Sequence, residues 1–296
     1  MYADLHCDTF YKCFIKNVPF SSPLLDVNLE KSKQLRPYIQ TFAHYIPETV
    51  SDKIGFLKSM LENTYRIIES ETDIVLFTCK DDILKAEREN KLLAVLSVEG
   101  GDVFTGDLKN DLDTAKYLER NNIRFLSMCY NHGSAFCGGA MSKASTGFTK
   151  TALNIASMLC DHGIFIDVSH LNHLSTIQLL ETDLNVIATH SNCFSLCQHQ
   201  RNLTDKAVEL LIKKDSLIGI NLYSPFLSST LASVDDIFDN IAFISSFGGE
   251  HNIAFGADFD GCDRFPEGIN SILDVAKLNV SEAVLYNNVK TFLMKL

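Results

Sequence analysis

Apolar residues along this chain fall into two alternating kinds of segment. One kind is short and almost continuously apolar. The other is longer, with apolar residues returning every three or four positions. The short runs are Ala3–Asp8, Gln40–Tyr45, Leu92–Glu99, Ile123–Tyr130, Gly163–His170, Asn185–His190, Ser216–Tyr223 and Asn252–Asp258. Runs of this kind predict parallel strands covered on both faces. A further run, Asp73–Cys79, is read as an accessory strand. The helical pattern is clearest in Ser51–Ser70, with Ile54, Leu57, Leu61, Ile67 and Ile68, and in Thr149–Asp161, with Ala152, Ile155, Ala156 and Leu159. Leu203–Lys214, opened by Thr204 and Asp205, joins Val234–Phe247 and Ser281–Lys295 as further helices, with Ser281 a candidate N-cap. Eight strands with intervening helices predict an α/β fold, a single-domain (β/α)8 TIM barrel over residues 1–296. An open doubly wound sheet is the alternative, but its GxGxxG phosphate fingerprint is missing.

Composition narrows the function classes. The chain has 296 residues, 46% of them hydrophobic, enough for one large core. Its 26 basic and 37 acidic residues leave a formal charge of −11, which argues against a nucleic-acid partner. No apolar stretch approaches the roughly 18 residues of a membrane span, so no membrane partner is expected. The opening Met-Tyr-Ala-Asp-Leu-His is polar within four residues and lacks the pattern of a secretory leader, so a cytoplasmic location is expected. The nine cysteines are odd in number and form no CxxC pair, which reads as reduced thiols.

Candidate chemistry collects at the ends of the predicted strands. The first ends in His6-Cys7-Asp8, the third at Glu99 and the fourth at Tyr130-Asn131. The fifth ends at His170, the sixth at His190 and the eighth at Asp258 and Asp260. In a barrel these ends converge on one mouth. Unpaired, such groups would be costly to bury, and a metal cluster supplies the common partner. His6 and Asp8 sit at i and i+2, the same side of a strand, and make half of a zinc site. Glu99, just before Gly100-Gly101, has two oxygens and can bridge two cations. His170 and His190 lie twenty residues apart, about one βα unit, so two imidazoles can share one ion. Asp167 is a candidate partner of a liganding imidazole, though it could equally face the helices. His44 and His132 also lie near strand ends; the remaining histidines read as surface residues.

Three His, one Asp and one Glu suit Zn²⁺, with Mn²⁺, Co²⁺ or Fe²⁺ as alternatives. Two such ions would acidify a water into hydroxide near neutral pH and polarise a carbonyl, the chemistry of amide hydrolysis. Asp258 would take the proton from water and return it to the leaving amine. Asp260 shares its strand parity, so the sequence alone does not separate the two. Arg201, in the loop after His190, is suited to gripping a substrate carboxylate.

These residues resemble the membrane dipeptidase (renal dipeptidase) family of zinc peptidases. The resemblance runs over nearly the whole chain. It is carried by Asp4-Leu5-His6-Cys7-Asp8-Thr9, Ser97-Val98-Glu99-Gly100-Gly101, Asp167-Val168-Ser169-His170, Thr189-His190-Ser191, Gln200-Arg201-Asn202 and Gly256-Ala257-Asp258-Phe259-Asp260-Gly261. It implies a barrel of the metallo-dependent hydrolase type holding two zinc ions. His6 and Asp8 would hold one ion, His170 and His190 the other, with Glu99 bridging. It also implies that Arg201 contacts the substrate carboxylate with help from the backbone near Tyr223, and that Asp258 handles the amino end or the proton. The implied activity is cleavage of dipeptides, with tolerance of a D-residue at the C-terminal position, by a homodimer. Tyr130 stands where the family usually has His or Trp to hold the substrate or the tetrahedral oxyanion. A phenol donates one hydrogen bond but does not become cationic near pH 7. Asn287-Asn288 replaces the family's usual Gly-Asn near the last helix. The competing readings are another metal-dependent amidohydrolase on the same barrel, such as an N-acyl amino acid deacylase or a lactonase, and a non-catalytic binding protein.

Overall fold

The continuous apolar runs become strands: β1 (Tyr2–Cys7), β2 (Tyr38–Tyr45), β3 (Ile74–Leu76), β4 (Leu92–Glu99), β5 (Ile123–Ser127), β6 (Phe165–Asp167), β7 (Val186–Ile187), β8 (Ile218–Ile220) and β9 (Ile253–Phe255). They are seen in a computed structural model that describes residues 1–101, 103–143 and 146–296. The strands pair in parallel in the order β7-β6-β5-β4-β2-β1-β9-β8. A parallel bridge between Ala188 and Ile218 joins the two ends of that order and closes a barrel of eight strands. β3 lies off the ring and pairs with the first half of β4, as an accessory strand should.

Side chains alternate between two cores. One set, including Ala3 and Leu5 of β1, Ile39 of β2 and Leu93 and Val95 of β4, fills the barrel interior together with Phe125, Ile187, Leu217 and Ala254. The other set, including Leu92, Ala94, Leu96 and Val98 of β4, faces the helices. The C-terminal helix packs Phe292 against Phe125 and Phe165, near the starts of β5 and β6.

Helices begin where a side chain can accept an otherwise unsatisfied N–H. Asp52 caps Lys53–Ser70, Thr149 caps Lys150–Asp161 and Thr204 caps Asp205–Lys213. Val234–Ser246 also falls within its expected range. Ser281–Lys295 does not form one regular helix. A π-helical turn, Ala283–Asn287, precedes a short α-helix, Asn288–Leu293. The buried Asn288 amide donates to the carbonyls of Glu250 and Ile253, tying this segment to the start of β9. Lys80–Arg88 and Leu108–Arg120 are helices the apolar pattern did not reveal; both are dense in Lys, Arg, Asp and Glu.

The last four barrel strands are shorter than their apolar runs predict. Gly163–His170, Asn185–His190, Ser216–Tyr223 and Asn252–Asp258 shrink to two or three residues each. A few residues further on, after isolated bridges such as that of Ala188, the chain leaves the ladder. His170 (φ 74°) and Asp258 (φ 65°) adopt left-handed backbone, which no strand can continue. β1 departs from simple alternation too. Its register against β2 slips between Asp4 and Cys7. Leu5 therefore packs in the interior while the next residue, His6, also reaches the mouth. Bulges of this kind re-aim side chains beside active sites.

Candidate metal centre at the barrel mouth

Two candidate ligands, His6 and Glu99, lie within strands; Asp8 follows β1 by one residue. The two remaining candidate ligands share an offset with three other candidate site residues. Tyr130, His170, His190, Tyr223 and Asp258 each lie three residues past the last residue of β5, β6, β7, β8 and β9. Each strand exit thus delivers a side chain to one rim.

The expected ligands do meet there. His6 Nε2 lies 3.7 Å from Asp8 Oδ2, 3.8 Å from Glu99 Oε2 and 3.8 Å from Asp258 Oδ1. His170 Nε2 lies 2.6 Å from Glu99 Oε1 and 2.7 Å from His190 Nε2. His190 Nε2 is 3.7 Å from the same Glu99 oxygen. Glu99 therefore turns one oxygen to His6 and the other to the His170–His190 pair.

These contacts fit a metal better than they fit each other. Both ring nitrogens of His6, and Asp8 Oδ1, are buried without a hydrogen-bond partner. Distances of 3.7–3.8 Å are too long for hydrogen bonds. Two ligands on one zinc ion lie about 3.4 Å apart at the tetrahedral angle, close to what is seen. On the other side, His170 Nδ1 is 2.9 Å from Asn131 Oδ1 and His190 Nδ1 is 2.8 Å from Thr189 Oγ1. An Nδ1–H donating in each leaves both Nε2 lone pairs turned toward each other at 2.7 Å; Arg201 Nη2 lies 3.2 Å from that of His170, and a cation bound by both imidazoles would satisfy the pair.

Charge is distributed to match. Burial disfavours a charged His6, but Glu99, Asp8 and Asp258 outweigh it and push the imidazole up to about 10. Burial raises the Asp8 carboxyl, and nearby Glu99 raises it further. Burial likewise raises Glu99 and Asp258. His170 and His190 are held well below the ordinary histidine value, first by burial and then by neighbouring positive groups. Gly261 is the residue this crowding demands. A Cβ there would lie 2.1 Å from Asp8 Oδ2 and 2.4 Å from Asp258 Oδ1.

A cavity of about 470 Å³ opens over the cluster, lined among others by Tyr130, Asn131, His170, Arg201, Tyr223 and Asp258. Arg201 is buried at 4% exposure rather than solvated. Its guanidinium lies over the Phe226 ring, 5.3 Å from the centroid, and its Nε has no partner. Tyr130 stacks on His170 with ring centroids 4.5 Å apart. The Tyr223 hydroxyl accepts from Arg264, and its N–H donates to Asn221 Oδ1. A larger groove of about 1220 Å³ runs past Ser224 and Pro225, but none of the clustered ligands lines it.

The two aspartates that the sequence left unresolved part company. Asp258 faces His6 and accepts from Asn221 Nδ2 at 3.1 Å. Asp260 turns away and accepts from Thr9 Oγ1, Lys12 Nζ and the N–H groups of Asp26 and Val27. His44 is not at the mouth. It is buried between the Ser97 carbonyl and the Thr64 hydroxyl. His132 is exposed. Asn131, Thr189 and Asn221 are contributors the sequence reading gave no role; only adjacency to Tyr130 and His190 hinted at the first two.

The comparisons with known proteins show a family. Its model, described as membrane dipeptidase (peptidase family M19), matches residues 1–286. An uncharacterised dipeptidase of Schizosaccharomyces pombe is 27% identical over 227 residues, covering 72% of this chain and 52% of that protein. Dipeptidase 3 of Mus musculus is 24% identical over 259 residues, covering 83% of this chain and 50% of that protein. The chain thus spans about half the length of these curated relatives. Among solved structures, one described as the metallo peptidase "dipeptidase AC" has a TM-score of 0.87 at 16% identity, covering 99% of this chain and 97% of that one. A metallo peptidase of Rhodobacter sphaeroides, bound to a phosphinate mimic of L-Ala-D-Ala, has a TM-score of 0.85 at 16% identity, covering 99% and 98%. These structures share the barrel fold. With a family match running from β1 into the π-helical turn, the chain belongs to the membrane dipeptidase family, peptidase family M19.

Proposed function

We propose that this chain is a binuclear zinc dipeptidase. His6 and Asp8 would hold one ion, His170 and His190 the other, and Glu99 both. The observation that carries the reading is Glu99's two oxygens directed to different imidazoles, beside a His6 left without hydrogen bonds. The ions would supply Lewis acidity, making water nucleophilic near neutral pH and polarising the scissile carbonyl.

The chain's own residues supply the rest. Arg201, immobilised by burial against Phe226, would grip the C-terminal carboxylate of the dipeptide. Tyr223 lines the same cavity wall, but its N–H is given to Asn221 Oδ1 and its carbonyl accepts from Phe226 N–H, so the expected help from its backbone is not available and its ring only shapes that end. Tyr130 would offer its phenol to the substrate or the developing oxyanion. Asp258, held by Asn221 and directed at His6, would take the proton from water and deliver it to the leaving amine. The family membership and the dipeptide mimic bound by the Rhodobacter protein support a dipeptide substrate, including one with a D-residue at its C-terminal position. A homodimer in a reducing compartment completes the proposal. None of the nine cysteines, all among the described residues, is joined in a disulfide. No helix among the described residues is long and apolar enough to cross a membrane.

The test is a panel of L,L- and L,D-dipeptides beside N-acyl amino acids and lactones, assayed with the zinc-loaded chain. Release of free amino acids from dipeptides is expected. Turnover confined to the acyl compounds or lactones would replace the dipeptidase with a deacylase or lactonase.

A further inference from the structure

Two buried aspartates that touch neither the ligand atoms nor the cavity repeat one bonding pattern. Asp4 is on β1 and Asp167 is the last residue of β6. Both are almost wholly buried. Each accepts the main-chain N–H two residues ahead: His6 N to Asp4 Oδ1 at 2.9 Å, and Ser169 N to Asp167 Oδ1 at 2.9 Å. Each also accepts an N–H from the exit of the neighbouring strand: Ala257 N to Asp4 at 3.2 Å, and Thr189 N to Asp167 at 3.0 Å. Each takes a hydroxyl on its second oxygen, from Tyr2 and from Thr189 respectively.

We infer that Asp4 and Asp167 are positioning residues, each stapling together the two strand exits that carry one half of the metal centre. The inference rests on the two-ion reading above. Asp4 joins the exit bearing His6 and Asp8 to the exit bearing Asp258. Asp167 joins the exit bearing His170 to the exit bearing His190. Main-chain N–H groups that run out of ladder partners need acceptors, and a carboxylate forms bonds about twice as strong as neutral ones. The staples therefore fix the chain just where it turns to present ligands.

Asp167 acts one bond further. The Thr189 hydroxyl donates to Asp167, which leaves its lone pair for the Nδ1–H of His190. That sets the tautomer of His190 and aims its Nε2 at Glu99. Removing the hydroxyl should loosen the imidazole without touching a ligand.

Metal binding by the chelator-stripped chain tests this, with Co²⁺ as the probe, read by equilibrium titration and by visible absorption. Two equivalents are expected for the wild type. Thr189→Val should weaken one equivalent by about 10- to 100-fold and alter its Co²⁺ spectrum while sparing the other. Thr189→Ser, which keeps the hydroxyl, should restore it. Asp4→Asn should weaken the equivalent that Thr189→Val spares. Wild-type affinity and spectrum in Thr189→Val would overturn the relay, and equal loss of both equivalents in either variant would overturn the division into halves. Thr189→Val keeps the side-chain shape, so the relay stays testable if Asp4→Asn does not fold. A wild type that binds fewer than two equivalents would sink the two-ion reading instead. The relay would then be judged on the equivalent that His190→Ala abolishes.

Discussion

The two halves of the site are built on opposite plans. Around His6 the protein gathers three carboxylates, from Asp8, Glu99 and Asp258, and leaves the imidazole without a hydrogen bond. Around His170 and His190 it fixes each ring by its Nδ1, through Asn131 and Thr189, and places a cationic Arg201 3.2 Å from His170. The first half is short of positive charge and the second is not. In the two-ion reading, the first would need an ion to satisfy it, whereas the second already holds its two rings in place through their Nδ1 atoms. Glu99 belongs to both and makes them one site.

That contrast can be broken at its joint or at either side. The largest effect should come from Glu99→Ala, which removes the shared carboxylate. Turnover should fall at least about a thousandfold, or roughly 4 kcal/mol of transition-state stabilisation, with metal content reduced. Elemental analysis beside a dipeptide assay checks both, and activity close to wild type would end the bridging role. Asp258→Asn acts on the carboxylate-rich half alone. It should lower kcat by about 10²- to 10⁴-fold and leave bound metal unchanged. Unchanged rates would move the proton role elsewhere. Arg201→Ala acts on the other half. KM should rise by about 10- to 100-fold for dipeptides with a free carboxylate, from loss of a charged hydrogen bond of ~1.5–3 kcal/mol. Equal loss on C-terminally amidated analogues would count against that contact.

The last effect, on stability and not on turnover, concerns a buried imidazole outside both halves. Burial lowers His44 to about 4 in the folded chain, against an ordinary value of 6.5. The unfolded chain therefore binds this proton first as pH falls. The stabilisation is full above pH 6.5 and is lost progressively toward pH 4, up to about 3 kcal/mol. Denaturant midpoints of the wild type and His44→Gln, compared between pH 7 and 4, should converge as the pH drops. A gap that stays constant would show that His44 is not held neutral.

What the sequence revealed follows the range of the interactions concerned. β4 matches its expected bounds because every residue in it is buried and paired with β2. The helix starts near Thr149 and Thr204 were legible because the signals that open a helix lie within a few residues, whereas the N-cap expected at Ser281 is not one, since the π-helical turn there begins after Glu282 without a side-chain cap. The five candidate ligands were legible because they lie at or near the ends of apolar runs. The short ladders of β6 to β9 were not, since an apolar residue just past a strand reads like one inside it. Asp258 and Asp260 could not be told apart because their difference lies in Thr9, Lys12 and Asp26, more than two hundred residues earlier. Asn221 carries no local signal at all, and Asn131 only its place beside Tyr130. Their roles appear only once His170 and Asp258 are in place beside them.

The adjacency of β1 and β9 has a consequence for the order in which the molecule assembles. The two-histidine half needs residues 170 and 190, on neighbouring exits separated by one βα unit. The carboxylate-rich half needs residues 6 and 258, brought together when β9 docks on β1. Closing so long a loop is slower and comes later than a local pairing. A folding chain can thus shape its imidazole pair early, while His6 waits for nearly the whole barrel before its carboxylate neighbours are complete.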